Sequence, residues 1–277
     1  MKRVFACHDQ SQPVCVAADR AEIVCFSAAG SDALDSNEDA AGVWEPRPGV
    51  LVIAVADGLG GGPHGAEAAG LAIDAIDRAV SVEPEGDRTL RGSIMDGFEQ
   101  ANSAILESWR GAGTTLVVVE IVDGVARSYH AGDSGALIVG QRGRVRMETL
   151  HHSPTGYGVA AGMLDRDDTH VHEERSLLSN CVGATDMRIE IGPPVELAAR
   201  DTLLLATDGV LDNVHHDVLV DSIRRGPLVE AAGLIRDHAR AAMCGEHPDL
   251  PAHPDDATAV LLRLRSTRED SRSRSES

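Results

Sequence analysis

Apolar runs that stop on a carboxylate are the feature that most narrows what this chain can form. Val50 to Val55 is an unbroken apolar run, and it ends at Asp57, directly ahead of a glycine cluster in "ADGLGGG". The shape returns in "LLLATDGVLDN", where Asp208 follows an apolar run and precedes a glycine. Asp133 in "SYHAGDSG" and the acids of "SNEDA" and "PDDATAVLLRL" also stand beside strand-like segments. One such site reads as a turn, because Asp and Gly are ordinary turn residues. Several acids at one end of a sheet repel one another unless cations neutralise them. The recurrence therefore predicts a metal cluster, and all-oxygen donors select Mg²⁺ or Mn²⁺ over zinc. Two such ions can activate a water while clamping a phosphate.

The pattern around these acids places them in a mixed fold. "AEIVCFSAA" and "VLVIAVA" read as strands. A helix starting near Gly65 sets Ala69, Ile73, Ile76 and Val80 on one face, and a second, around Thr89 to Trp109, repeats Ile94, Phe98, Ala101 and Ile105. Asp123-Gly124 between two apolar runs signals a hairpin, "GQRGRVRMETL" gives a turn and a strand, and "TLLLAT" and "TAVLLRLR" read as strands around a helical stretch from about Asp217 to Met243. Hairpins beside paired helices predict α+β rather than a parallel α/β sheet. Residues 151–185 read as a long surface insertion of the kind that serves as a lid or binding surface. Residues 1–21 are expected to be an extension or an edge strand, and 265–277, without one apolar residue, a disordered polar tail.

Charge and cysteine use remove several function classes. With 44 acidic against 25 basic residues the formal net charge is −19, which argues against nucleic-acid and anionic-membrane binding. Five scattered cysteines without a C-x-x-C pair fit neither a disulfide framework nor a structural zinc site and suit a cytoplasmic location. No run approaches the ~20 apolar residues of a membrane helix. No glycine pattern for a dinucleotide or P-loop site appears, and no heptad, so a monomer is expected.

In chain order, "SNED" (36–39), "ADGLGG" (56–61), "GTT" (113–115), "AGDS" (131–134), "ATDGVLD" (206–212) and "DDAT" (255–258) resemble the PP2C-type, metal-dependent serine/threonine protein phosphatases, over roughly residues 22–264. The resemblance implies a sandwich of two antiparallel β-sheets flanked by helix pairs, with residues 151–185 as a flap. It implies two or three Mn²⁺ or Mg²⁺ ions. Asp57 takes the position that bridges two ions, Gly58 the backbone-carbonyl ligand, Asp208 and Asp255 the partners of one ion, and Asp39 the N-terminal ligand. Glu38 acts through a metal-held water, and Asp133 matches a third, looser ion. The implied reaction is attack on a phosphoserine or phosphothreonine of a protein by a metal-bridging hydroxide, opposing a serine/threonine kinase.

The chain departs from that pattern in places. Leu34 stands where the resemblance puts a phosphate-binding arginine, and a leucine cannot form a bidentate clamp; Arg47 is the candidate substitute. Asp256 stands at a usual asparagine, Gly135 at a usual arginine, and His151 at the acid of "DHS". His64, seven residues after Asp57, is a candidate general acid. Two other readings remain: a PP2C-like binding scaffold without turnover, favoured by Leu34 and opposed by the intact acids, and a hydrolase of small phosphoesters.

Overall fold

Both faces of the apolar run that opens the sequence argument are covered by protein. Leu51, Ile53 and Val55 enter one hydrophobic cluster, while the alternate residues Val52, Ala54 and Ala56 enter another. A strand with period-two side chains that is apolar throughout must lie between two layers. A computed structural model describes residues 2–6, 12–30, 37–59, 64–81, 89–247 and 250–265. Leu34, Ser36, Gly60, Gly61 and residues 266–277 of the expected tail lie outside the described residues.

The strands are β1 (Lys2–Ala6), β2 (Val14–Ala17), β3 (Ala21–Ala28), β4 (Asp39–Arg47), β5 (Val50–Asp57), β6 (Leu116–Val122), β7 (Val125–Ala131), β8 (Gly135–Val139), β9 (Val145–Glu148), β10 (Glu190–Ile191), β11 (Val195–Glu196), β12 (Thr202–Ala206) and β13 (Ala257–Leu264). The helices are α1 (Gly65–Ser81), α2 (Leu90–Ser108), α3 (Pro154–Ala160), α4 (Asp208–Leu211), α5 (His216–Ile223) and α6 (Leu228–Met243). Among the described residues one sheet runs β1-β4-β5-β6-β7-β10 with β11 also on β7, and the other runs β2-β3-β13-β12-β8-β9. All the pairings are antiparallel. The inner faces share one core, including Ile23, Ile53, Val119, Ile138, Leu205 and Val260. Helices α1 and α2 cover the first sheet, and α5 and α6 the second, giving four layers, α-β-β-α.

Local chemistry explains the helices. Thr89 caps α2 by accepting a hydrogen bond from the Gly92 N–H (3.1 Å), and the expected stripes of both α1 and α2 are buried. The helix expected from Asp217 to Met243 is instead two, α5 and α6, parted at Gly226, whose φ is +88°, and Pro227, which has no N–H to continue a helix. The N-terminal residues supply β1 and β2, an edge strand for each sheet. Arg265 is not yet free tail: its N–H bonds the Arg20 carbonyl (2.9 Å).

Residues 151–185 are less of a surface excursion than their composition predicts. They contain α3, started by Ser153 as cap and Pro154 as first residue, and a 3₁₀ turn at Asp167–Val171. His152, Ser153, Thr155, His170, Asn180 and Val182 are buried, and Thr114 and Val182 exchange backbone hydrogen bonds, both 2.9 Å. Between those anchors Met163, Val171 and Leu177 are exposed.

Candidate metal centre

The register of the strands brings the acids together. Asp39 opens β4 and Asp57 closes β5, and the two are direct cross-strand partners. In the other sheet Ala206, the last residue of β12, pairs with Gly135 on one side and Ala259 on the other, so Asp133, Asp208 and Asp255 leave their strands at one edge. Thr207 ties the sheets by donating to Asp39 Oδ2 (3.0 Å).

Glycines allow the close approach. A Cβ at Gly58 would run into the backbone of Gly65 at the start of α1, and one at Gly209 into the backbone of Asp256. The threonines of "GTT" pin the end of β5. Thr115 Oγ1 accepts from the Asp57 N–H (3.1 Å), while the Asp57 carbonyl accepts from the Thr115 N–H and the Thr114 hydroxyl (both 2.8 Å). Thr115 Oγ1 also lies 2.6 Å from Ser134 Oγ, beside Asp133.

The adjacent acids Asp255 and Asp256 do different work. Asp256 is consumed by backbone: Oδ1 accepts from the Gly30 N–H (2.9 Å) and Oδ2 from the Glu38 N–H (2.6 Å). Among the described residues Asp255 accepts only from the Asp256 N–H (2.8 Å) and otherwise faces acids. Asp39 is fixed by Asn37, whose Oδ1 takes the Asp39 N–H (2.9 Å).

The electrostatics are those of a site lacking its counter-charge. Removal from water, with Asp208 and Asp39 nearby, drives the Asp57 carboxyl well above the usual carboxylate range. Burial does the same to Asp39, against donors from Thr258 and Thr207. Burial and Asp208 push Asp255 up to about 7, and burial and Asp133 push Asp208 up to about 6. Burial also lifts Asp133 to about 6. Asp39 Oδ1, Asp133 Oδ1 and Asp208 Oδ1 are buried without any hydrogen-bond donor. Divalent cations fit such a set, since hard carboxylate oxygens are their usual donors and orphaned buried oxygens are otherwise costly.

Asp212 belongs with this group, although sequence reasoning assigned it no role. Burial raises its carboxyl well above the usual range, with Asp208, Asp133 and Asp255 adding to the effect. The signal was its place one turn after Asp208 in "TDGVLD", which α4 turns to the same side. Arg47 is not brought to the acids: it ends β4 at the opposite end from Asp39, roughly 25 Å away at the rise of a strand. His64 stacks on Trp109 (5.1 Å between ring centroids) with Nδ1 3.4 Å from Glu67, and touches none of the acids. Glu38 packs its carboxylate against Gly65.

A second grouping, His130, His152 and Glu190, also brings ligand-type atoms within 4.8 Å of one another. It is built as a brace. His152 Nδ1 accepts from the Gly132 N–H (3.1 Å) and from Asn180 Nδ2 (2.9 Å), and the Asn180 amide is held in that orientation by two bonds to Arg188. The proton of His152 therefore sits on Nε2, towards Glu190 (3.1 Å), where a metal would need a lone pair. The His152 N–H also donates to the Gly132 carbonyl (3.1 Å), clamping the residue ahead of Asp133.

Comparison with known proteins agrees with this geometry. The chain is 29% identical over 202 residues to the protein phosphatase PhpP of Streptococcus pneumoniae, covering 68% of this chain and 78% of PhpP. The serine/threonine phosphatase of S. agalactiae superposes with a TM-score of 0.74 at 22% identity, over 88% of this chain and 100% of that one. The catalytic domain of the serine/threonine protein phosphatase PstP, solved with two manganese ions, superposes with a TM-score of 0.70 at 23% identity, over 89% of this chain and 99% of that one. The family model described as protein phosphatase 2C matches residues 29–231. With the fold and the match over most of its length in agreement, this chain belongs to the protein phosphatase 2C family.

Proposed function

We propose that the chain hydrolyses phosphoserine and phosphothreonine in proteins with the help of two or three Mn²⁺ or Mg²⁺ ions held by the acids at the end of the sandwich. One observation carries this reading: burial raises the pKa of six carboxylates, each with a neighbouring acid adding to it, while three of their buried oxygens have no donor. Divalent ions supply there the charge that polarises a phosphoryl group and lowers the pKa of water.

The residues prepare that site. Asp57, its peptide pinned by Thr114 and Thr115, lies among Asp39, Asp208 and Asp255 and suits the bridging role. Thr207 occupies one oxygen of Asp39 and leaves the other for a cation. The Gly58 carbonyl and Asp255 complete this set, with Glu38 placed by Asp256 to hold a water. Asp133 and Asp212 suit a further ion beside Asp208. Proton delivery to the leaving oxygen is not given to His64, which is engaged with Trp109 and Glu67.

A scaffold released from catalysis would gain nothing by retaining acids that destabilise one another, so turnover is the reading. The substrates are phosphoproteins, with a serine/threonine kinase acting on the same targets. A cytoplasmic monomer is the working form; among the described residues no helix is long and apolar enough to cross a membrane. The catalytic unit spans residues 22–264, with β1 and β2 added at its sheet edges.

Phosphate release from a phosphothreonine peptide, measured with Mn²⁺, with Mg²⁺ and with chelator, tests this. Release that needs the metal and is lost in Asp57→Ala is expected. No release from folded, metal-loaded protein would overturn the reading, and preference for a small aryl phosphate over every peptide would redirect it.

A further inference from the structure

A cavity of about 360 Å³ lies between the second sheet's edge and residues 151–175, and it opens beside the acids without containing most of them. Asp133 and Asp212 form its inner wall, whereas Asp39, Asp57, Asp208 and Asp255 do not line it. A substrate whose phosphate sits at those four acids would therefore lay a neighbouring residue, not the phosphate, into this space. Leu150, Val159, Leu211 and Leu219 give the cavity apolar flanks.

Two arginines face in, and they differ. Arg166 is spent: Nη1 and Nη2 donate to the two oxygens of Glu148 at 2.6 and 3.0 Å. Arg175 is near enough to Asp212 for its charge to lower that carboxyl, but it makes no ion pair with any described residue, and its Nε–H is buried without an acceptor. A guanidinium with a buried, unused donor asks for an oxygen from outside, because leaving that donor unpaired costs free energy. Two of the cavity's three histidines do not duplicate its charge, since burial holds His151 at about 4 and lowers His170, so both are neutral at pH 7; the third, His216, faces Glu148 (3.4 Å). In a protein of net charge −19, an anionic side chain finds attraction only where a fixed cation is left unpaired.

We propose that this cavity is a subsite for an acidic group next to the phosphorylated residue, with Arg175 as the donor that recognises it. The recognised group is an oxyanion, either the carboxylate of Asp or Glu or a second phosphate. The inference rests on the phosphatase reading for where the substrate lies and adds the sequence preference that reading lacks.

The test uses the full, Mn²⁺-loaded chain and one phosphothreonine peptide in versions carrying Glu, Gln or phosphoserine beside the phosphothreonine, on either side. The readout is the ratio of kcat/KM for the Glu peptide to that for the Gln peptide. The ratio is expected on the order of tenfold, the value of one charge-assisted hydrogen bond, and near one in Arg175→Gln. Arg175→Lys keeps the charge without the fork and is expected to lie between. A phosphoserine peptide that exceeds the Glu peptide, with the excess lost in Arg175→Gln, identifies a second phosphate as the source. A ratio near one in the unaltered protein, or one that survives in a folded Arg175→Gln, overturns the subsite. Peptide affinity is read in parallel by fluorescence anisotropy. Binding that prefers acid through Arg175 without hydrolysis would break the phosphatase reading and keep the subsite.

Discussion

The floor of the site and the segment above it handle charge in opposite ways. On the floor, strand ends hold six carboxylates whose pKa values burial raises and neighbouring acids raise further, with three buried oxygens lacking donors. Above it, Arg166 is matched to Glu148 and His152 to Glu190, and Arg175 alone is left over. The floor is incomplete without a cation from outside, and the upper segment offers one cation to an anion from outside. Rigid strands can carry the repulsion because cross-strand pairing and a shared core hold them; short irregular elements with exposed Met163, Val171 and Leu177 have less to spend against it.

Removing a floor carboxylate should separate stability from activity most sharply. Asp57→Ala is expected to lower kcat/KM on the order of 10³-fold or more, the several kcal/mol that a metal-held charge contributes. The same change should raise the melting temperature of the chelator-treated protein, since a buried acid that folding holds above its unfolded pKa is gone. A variant that lost activity and also melted lower without metal would contradict the claim that the floor is under electrostatic strain.

Next in size is Asp256, which is close to the ions' acids yet spent on backbone. Asp256→Ala frees the Gly30 and Glu38 N–H groups and should cost about 10–100-fold in metal affinity or activity, as outer partners of a metal site do. Asp256→Asn retains one acceptor and should fall between. Titrating Mn²⁺ against activity in both variants measures this.

The pH dependence of the metal-free protein is a third, smaller test. A carboxyl whose pKa is raised by folding holds its proton when the unfolded chain has lost it, so stability drops as pH climbs through the folded value. Asp255, raised to about 7, and Asp133 and Asp208, raised to about 6, place that loss between about pH 4 and 7, and the raised Asp39, Asp57 and Asp212 add to it in the same direction. His130 and His151, lowered to about 4 chiefly by burial, add stability as pH rises from about 4 to 6.5 and are spent above it. The six raised carboxyls outnumber the two lowered histidines, so the chelated protein should melt lower at pH 7 than at pH 5, and saturating Mn²⁺ should remove the difference.

Sequence carried the architecture further than it carried the site. Buried stripes such as Ile73, Ile76 and Val80 or Ile94, Phe98 and Ile105 repeat at a period that only a helix satisfies, and Asp123-Gly124 has the positive φ angles of a two-residue hairpin turn. Acids at strand ends were legible because each stands beside an apolar run. What failed needed three dimensions. Arg47 is near the first motif in sequence and at the far end of its strand in space. The resemblance alone favours Asp255 over Asp256, and the physical reason, the two backbone N–H groups that occupy Asp256, appears only in the fold. Asp212 gains its meaning from α4, and Arg175 from the absence of a partner, which no local pattern announces.

The smallest effect is expected above the floor, at Arg166, and its sign separates the two regions. Removal from water pushes the Glu148 carboxyl up, but the neighbouring His216 (3.4 Å) and the two hydrogen bonds from Arg166 outweigh it and hold Glu148 at about 2. A carboxyl lowered by folding contributes stability above its unfolded pKa, and that contribution is lost as pH falls from about 4.5 to 2. Arg166 is 41% exposed, so water screens the pair and Arg166→Ala should cost only about 0.5–1 kcal/mol at pH 7. That cost should disappear in acid, the reverse of the floor, where acid relieves the metal-free protein. Mn²⁺ affinity should not change, because Glu148 is matched within the segment and faces no ion. A loss of metal affinity in Arg166→Ala would mean that the two regions share their electrostatics after all, and the division between a floor that needs cations and a cover that, Arg175 apart, is internally matched would have to be given up.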